Sequence, residues 1–87
     1  MRKRLRDFFR IAEWVIRYVE GEPPLIKGTP PRGFLRECHS LLKEAGLRKA
    51  GISGVNKHGL IILEFDASVP QNLHQRLRNL WSTNQDR

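Results

Sequence analysis

Two hydrophobic patterns follow one another in residues 48–81, and together they predict a β-hairpin and then a helix. Residues 60–65 (LIILEF) are almost entirely aliphatic and too few for a stable helix, so they predict a buried strand. A second β-prone run precedes them, joined by residues 56–59 (NKHG). Because Gly59 can adopt the left-handed conformation of a short turn, the two runs are expected to pair as a hairpin.

The helix predicted after this hairpin has one apolar and one polar side. Its apolar positions have the spacing i, i+4, i+7 and i+8, and they are Leu73, Leu77, Leu80 and Trp81. Ser68 and Gln71 have the spacing of a capping box, and Pro70 suits the first turn of a helix. The sequence therefore predicts an amphipathic helix that begins near residue 70.

The first twenty residues carry two competing patterns. Apolar residues recur at helical spacing through the segment, which predicts an amphipathic helix. Residues 14–19 (WVIRYV) are also a dense run of β-forming residues, and Gly21 can make the turn before residues 24–28. We predict a helix over residues 3–12 and strands over 14–19 and 24–28, with continuation of the helix through 13–19 as the alternative.

A pattern that repeats within the chain favours the two strands predicted over residues 14–19 and 24–28. Thr29 and the prolines after it can open a helix that stops at Gly46, and its apolar positions are Phe34, Cys38, Leu41 and Leu42. Adding 39 to each of these positions gives the apolar stripe of the C-terminal helix. The predicted fold class is α+β, a two-layer ββα-ββα pseudo-repeat. Its four-stranded, mainly antiparallel sheet has two helices on one face, after a short N-terminal basic helix.

Length and composition indicate one small domain. The 87 residues are 39% hydrophobic, which suffices for a modest core and argues against general disorder. We divide them into a basic arm (1–12), an α+β domain (13–82) and a disordered polar tail (83–87). The single cysteine excludes an internal disulfide framework, and the longest apolar run, residues 60–63, is too short to span a bilayer. We expect a cytoplasmic location.

Three motifs resemble an uncharacterised bacterial family that is described only as a domain of unknown function. They are KGTPPRGF (27–34), EFDASVP (64–70) and QRLRNLW (75–81). The likeness covers residues 14–81, supports the hairpin over 14–28, and implies no activity. Members of that family often carry a membrane-spanning helix ahead of the shared region. This chain has the basic segment 1–12 in that place, so we do not expect integral membrane insertion.

The residues that can carry catalysis do not form a recognisable constellation. His39, His58 and His74 lack metal-ligand spacing, and Cys38 falls on the apolar stripe of its predicted helix. Glu64 and Asp66 can point to the same side of a strand, but such carboxylates more often solvate the open face of a sheet. The sequence therefore predicts that the protein is not an enzyme and has no metal site and no cofactor.

Basic and amide side chains favour a binding module, with nucleic acid as the first candidate partner. The net charge is +7, and residues 1–10 hold five basic residues against one acidic residue. Arginines and amides are the side chains that contact phosphates and base edges. The candidate contact residues are Arg76, Arg78, Asn72, Asn79 and Gln75 on the last helix, with Arg2, Lys3, Arg4 and Arg6 on the arm. Arg32, Arg36, Lys43 and Lys57 can join them.

Two other kinds of partner fit the same predicted fold. A sheet that is covered by helices on one side leaves an open face, which can bind a protein partner or a second copy of the chain. The sequence does not fix which face is open, because Leu60 and Ile62 oppose Ile61 and Leu63. The basic arm, with its two phenylalanines, can also attach to an anionic membrane surface.

Overall fold

A four-stranded antiparallel sheet underlies two helices in the computed structural model, which describes residues 12–85. The elements are β1 (Ala12–Val19), β2 (Leu25–Gly28), α1 (Arg32–Glu44), β3 (Lys49–Lys57), β4 (Leu60–Phe65) and α2 (Gln71–Gln85). The strands lie in the order β2-β1-β3-β4, and every neighbouring pair is antiparallel. The predicted α+β class and the four-stranded sheet are confirmed.

Residues 12–19 and 25–28 form strands, so the helical alternative for 13–19 is wrong. Ile16 pairs with Ile26 on β2 and with Ile52 on β3, and these β-branched residues give the extended backbone a surface on which to pack. β1 begins at Ala12, the last residue of the predicted helix 3–12. The other residues of that helix lie outside the described part of the chain.

The β3–β4 hairpin has the turn that its sequence predicts. His58 and Gly59 both have positive φ, 56° and 87°, which is the backbone twist that suits a two-residue hairpin loop. Asn56 stabilises the loop, because its side-chain oxygen accepts a hydrogen bond from the Gly59 N–H at 3.0 Å. The hairpin fixes the register in which Lys57 pairs with Leu60.

The core lies between the helices and one face of the sheet. Alternate residues of the central strands point into it, together with the apolar stripes of both helices. Three aromatic rings contact one another in it: Trp14 and Phe34, which are buried, and Trp81, which is partly buried, with ring centroids 5.1–5.7 Å apart. Offset contacts of this kind are favourable beyond the apolar area that they bury. These rings connect β1 to both helices.

The two helices begin differently from the prediction. Pro31 is the N-cap of α1, and no side chain caps this end, so Thr29 does not have the predicted role. The Ser68 hydroxyl donates to Asp66 Oδ1 at 2.5 Å, and the same oxygen accepts the backbone N–H groups of Gly51 and Ser68 at 3.2 and 3.0 Å. Asp66 therefore organises the turn before α2 and links it to β3, and a Ser68 capping hydrogen bond is not made.

α2 extends to Gln85, so residues 83–85 of the predicted disordered tail are helical. Asn84 donates hydrogen bonds to the Leu80 carbonyl at 3.0 Å and to Glu37 on α1 at 3.4 Å. This contact joins the end of α2 to the first half of α1, and the two helices therefore run antiparallel. Within residues 12–85, neither helix has the length and apolar character needed to cross a membrane.

Candidate nucleic-acid interface

The outer surface of α1 carries a stripe of three exposed cations, Arg32, Arg36 and Lys43. The spacing i, i+4, i+11 places them within about 40° of one another around the helix axis and spreads them over about 16 Å. We call these three residues the α1 basic stripe. They face away from the buried positions Phe34 and Cys38, so their charges stay in contact with solvent.

The two acidic residues of α1 do not interrupt this stripe. Glu37 and Glu44 are about 100° further around the helix, on the side that faces α2. Glu37 accepts the hydrogen bond from Asn84, which confirms that this side of α1 is turned toward the second helix. The α1 basic stripe is therefore separated from the acidic residues of its own helix.

The outer surface of α2 carries the predicted amides. Asn72, Gln75 and Asn79 are exposed, and we call these three residues the α2 amide ridge. Gln75 Nε2 donates to Asn79 Oδ1 at 2.9 Å. That hydrogen bond uses one donor and one acceptor of the ridge, and the remaining amide groups stay available to a ligand.

The structure separates the two predicted arginines of α2. Arg76 lies on the side toward α1, beside Leu41, Leu80 and Thr83. Arg78 lies on the side toward the sheet edge, with its guanidinium carbon 5.4 Å from the ring centroid of Phe65. Two positions along a helix differ by about 200°, so one flat ligand cannot contact both arginines along a single line.

The Arg78 contact belongs to a small stack at the edge of β4. The Phe65 ring also stacks on His74, with centroids 4.3 Å apart. His74 Nε2 lies 3.2 Å from the Val69 carbonyl oxygen, which holds the imidazole in place. This arrangement gives Arg78 and His74 structural contacts, and it explains why a cation sits on this side of the helix.

The remaining predicted cations have different positions. Arg2, Lys3, Arg4 and Arg6 lie outside the described residues. Lys57, at the hairpin, forms an ion pair with Glu64 at 3.1 Å. The aromatic rings of Trp14 and Tyr18 on β1 are buried and belong to the core. Neither ring is therefore available to stack on a base.

The two carboxylates and the thiol considered for catalysis, Glu64, Asp66 and Cys38, are occupied or buried. Glu64 pairs with Lys57, and Asp66 accepts the hydrogen bonds of the turn before α2. Burial raises the pKa of the Cys38 thiol to about 12. No group of three or more His, Cys, Asp or Glu side chains within residues 12–85 is arranged to hold a metal ion.

We expect Cys38 to resist thiol reagents in the folded protein. With a pKa of about 12, only about one thiol in 10,000 is ionised near pH 8, and the thiolate is the reactive form. A colorimetric disulfide reagent should therefore modify Cys38 only after denaturant is added. The variant Ser82→Cys, which adds a thiol at an exposed position of α2, should release one equivalent of colour before denaturation. Fast native modification of the unaltered chain would contradict the buried position.

From the sequence, Arg32, Arg36 and Lys43 are only additional candidates, because a count of the charges on the helix ignores their angular positions. The spacing i, i+4, i+11 is the signal that identifies the stripe, since it returns to one side of a helix. The structure shows in addition that this side of the helix faces away from the core.

The fold and this surface define a small α+β domain with a polar and basic helix layer. The family described as "Protein of unknown function (DUF3634)" matches residues 9–87, and the chain belongs to that family. No curated protein and no solved structure matches the chain. The predicted resemblance to a family of unknown function is confirmed, and the family brings no assigned activity.

Proposed function

We propose that this domain binds nucleic acid through its helix layer, with the α1 basic stripe contacting phosphates. The observation that carries the proposal is the segregation of charge on α1: three exposed cations share one side, and both acidic residues lie on another. Segregated cations create a positive potential that a solvated helix with mixed charges lacks. Phosphate contacts of this kind position a protein on nucleic acid without reading its sequence.

The α2 amide ridge supports the proposal because it lies on the same layer as the stripe. Amide side chains donate to phosphates and can pair with base edges. Arg76, on the side of α2 that faces α1, adds a fourth cation between the two surfaces. Arg78 contacts Phe65 and is assigned to the edge of the layer.

The salt dependence of binding gives a quantitative test on the triple variant Arg32→Gln, Arg36→Gln, Lys43→Gln. Each phosphate contact contributes about −0.9 to the slope of log K against log salt, so losing three contacts reduces the slope by about 2.7. Between 50 and 200 mM salt, the unaltered protein should therefore lose about 40-fold more affinity than the triple variant. Fluorescence anisotropy with labelled mixed-sequence duplex DNA and RNA measures the affinity and its salt dependence for the unaltered protein and for the triple variant.

A matched control removes the same charge from other exposed positions. The variant Lys27→Gln, Arg48→Gln, Lys49→Gln lowers the net charge equally and leaves α1 unaltered. We expect this control to retain most of the affinity and the slope. Equal losses in both variants would show that net charge alone attracts the polyanion. Absence of binding at low salt would overturn the proposal.

A further inference from the structure

Two neighbouring cavities lie between α1 and the hairpin formed by β1 and β2. The first has a volume of about 290 Å³ and is lined by Pro24, Arg32, Leu35, Arg36, His39 and Ser40. The second has a volume of about 320 Å³, and the residues that line it include Tyr18, Glu20, Glu22, His39 and Lys43. Because His39 lines both cavities, they adjoin, and we call the two together the α1 groove.

The α1 groove lies on the flank of the helix that is turned away from α2. Leu35 and His39 are each two positions from Glu37, which is about 200° around the helix axis. Glu37 contacts Asn84 on α2, so the groove opens on the other flank, beside residues 20–24 that join β1 to β2. A ligand in the groove therefore lies between one helix and one loop.

All three cations of the α1 basic stripe line this groove. Arg32 and Arg36 line the first cavity, and Lys43 lines the second. Their positions along the helix spread them over about 16 Å, which covers both cavities. Within residues 12–85, no ion pair involves any of the three. The stripe is therefore one rim of a concave site, and its charge is not neutralised by a described carboxylate.

The opposite rim of the groove carries negative charge. Glu20 and Glu22 belong to the turn after β1, are exposed, and line the same cavity as Lys43. Carboxylates repel phosphates, so a polyanion is attracted to the helix rim and kept away from the loop rim. This asymmetry sets the orientation of a bound strand, because its phosphates follow α1 and its other groups point into the groove.

The floor of the groove suits a flat, weakly polar group. Pro24, Leu35 and His39 are partly exposed there, and they present a pyrrolidine ring, a branched aliphatic chain and an imidazole. The imidazole is packed edge-on against Tyr18, with ring centroids 5.3 Å apart at 69°. Unpaired bases stack on aromatic side chains of this kind, histidine included, and such stacking tolerates any sequence.

We propose that the α1 groove binds single-stranded nucleic acid, with phosphates on the α1 basic stripe and bases against Pro24, Leu35 and His39. A duplex offers its phosphates to the stripe, but its bases are paired and stacked, so their faces cannot reach the floor of the groove. The groove therefore favours a single strand over a duplex. This inference rests on the proposed function, because it uses the same three cations, and it names the form of nucleic acid that they bind.

A strand without bases separates the two claims. Fluorescence anisotropy on the full chain compares a labelled mixed-sequence single strand of about 12 nucleotides, an abasic strand of the same length, and the matching duplex. We expect the strand with bases to bind at least about fivefold tighter than the abasic strand, which is the lower end for one stacked base. The salt slopes of these two strands should agree, since both keep their phosphates.

The outcomes distinguish this inference from the proposed function. Equal affinity of the two single strands would overturn the inference and leave phosphate-led binding standing. Tighter binding of the duplex than of the strand with bases would do the same. Absence of binding by all three probes at low salt would overturn both. Tighter binding of a polyglutamate peptide than of either strand would assign the groove to an acidic protein segment and overturn the inference.

Two further measurements place the bases in the groove. Ser40→Leu fills part of the first cavity without changing the charge, so it should lower affinity for the strand with bases about fivefold and leave the abasic strand unaffected. The matched control, Ser82→Leu, adds the same side chain at an exposed position of α2 and should change neither affinity. An undiminished preference for bases in Ser40→Leu would overturn the placement.

Nuclear Overhauser effects on the unaltered protein test the same placement without a substitution. In the complex with the single strand, base protons should give cross-peaks to the Leu35 methyl groups and to the Pro24 ring. The duplex complex should give none. Base cross-peaks confined to side chains outside the α1 groove would overturn the proposal, whatever the affinities of the variants.

Discussion

Replacing Phe34 by alanine is expected to destabilise the domain by about 3–5 kcal/mol. Phe34 is fully buried and contacts the rings of Trp14 and Trp81, at centroid distances of 5.7 and 5.1 Å. Its removal leaves a cavity at the point where α1, β1 and α2 meet. A domain of this size has a free energy of unfolding of only about 4–13 kcal/mol, so the variant should lose about a quarter or more of its stability.

Urea denaturation followed by tryptophan fluorescence measures this loss, because both tryptophans flank the altered position. The matched control is Leu25→Ala, which removes a similar volume from a residue that is 65% exposed on β2. We expect the control to change the free energy of unfolding by less than about 0.5 kcal/mol. Similar losses in both variants would contradict the core described for this domain.

The sequence predicts the order of elements well because its strongest signals are local. The turn at Gly59 and the apolar stripe from Leu73 to Trp81 each depend on a few neighbouring residues, and both are found. The boundary near Ala12 was harder, because residues 14–19 satisfy a helical and an extended pattern at once. Pairing of Ile16 with Ile26 and Ile52 decides between the two patterns, and such pairing is a tertiary interaction.

The covered and exposed faces of the sheet could not be predicted. β4 is apolar at both alternating sets of positions, so the period-two signal that usually identifies the core side is missing. In the structure Leu63 is buried against the helices and Leu60 is exposed on the other face. The difference is set by the helices, which follow β2 and β4 and both pack on the same side.

The sequence predicts which residues of α2 are exposed at the candidate site, but not how they are arranged around the helix. The α2 amides are exposed as expected, yet Arg76 and Arg78 lie on different flanks of the helix. A helical wheel gives these angles, but only packing shows that Arg78 meets Phe65 at the sheet edge. The direction of the α1 basic stripe also depends on packing. The contact between Glu37 and Asn84 turns the acidic side of α1 toward α2 and leaves the stripe on another side.

Introducing valine at Gly54 is expected to destabilise the domain, although valine normally favours a strand. Gly54 lies on the helix side of β3, directly beneath the indole of Trp14, and any Cβ at this position would overlap that ring. The ring cannot move aside without losing its contacts with Phe34 and Trp81. Overpacking of this kind costs about 1–3 kcal/mol, and we expect the upper end because three rings are affected.

Thermal and urea unfolding of Gly54→Val measure the loss, and Gly54→Ala should give a smaller loss in the same direction. Lys49→Val is the matched control, since it places the same side chain at an exposed position of β3. Strand propensity predicts that both valine variants are neutral or stabilising, whereas packing predicts a loss only at Gly54. Unchanged stability of Gly54→Val would mean that the Trp14 ring does not lie on this strand. The packing described for Trp14, Phe34 and Trp81 would then be wrong.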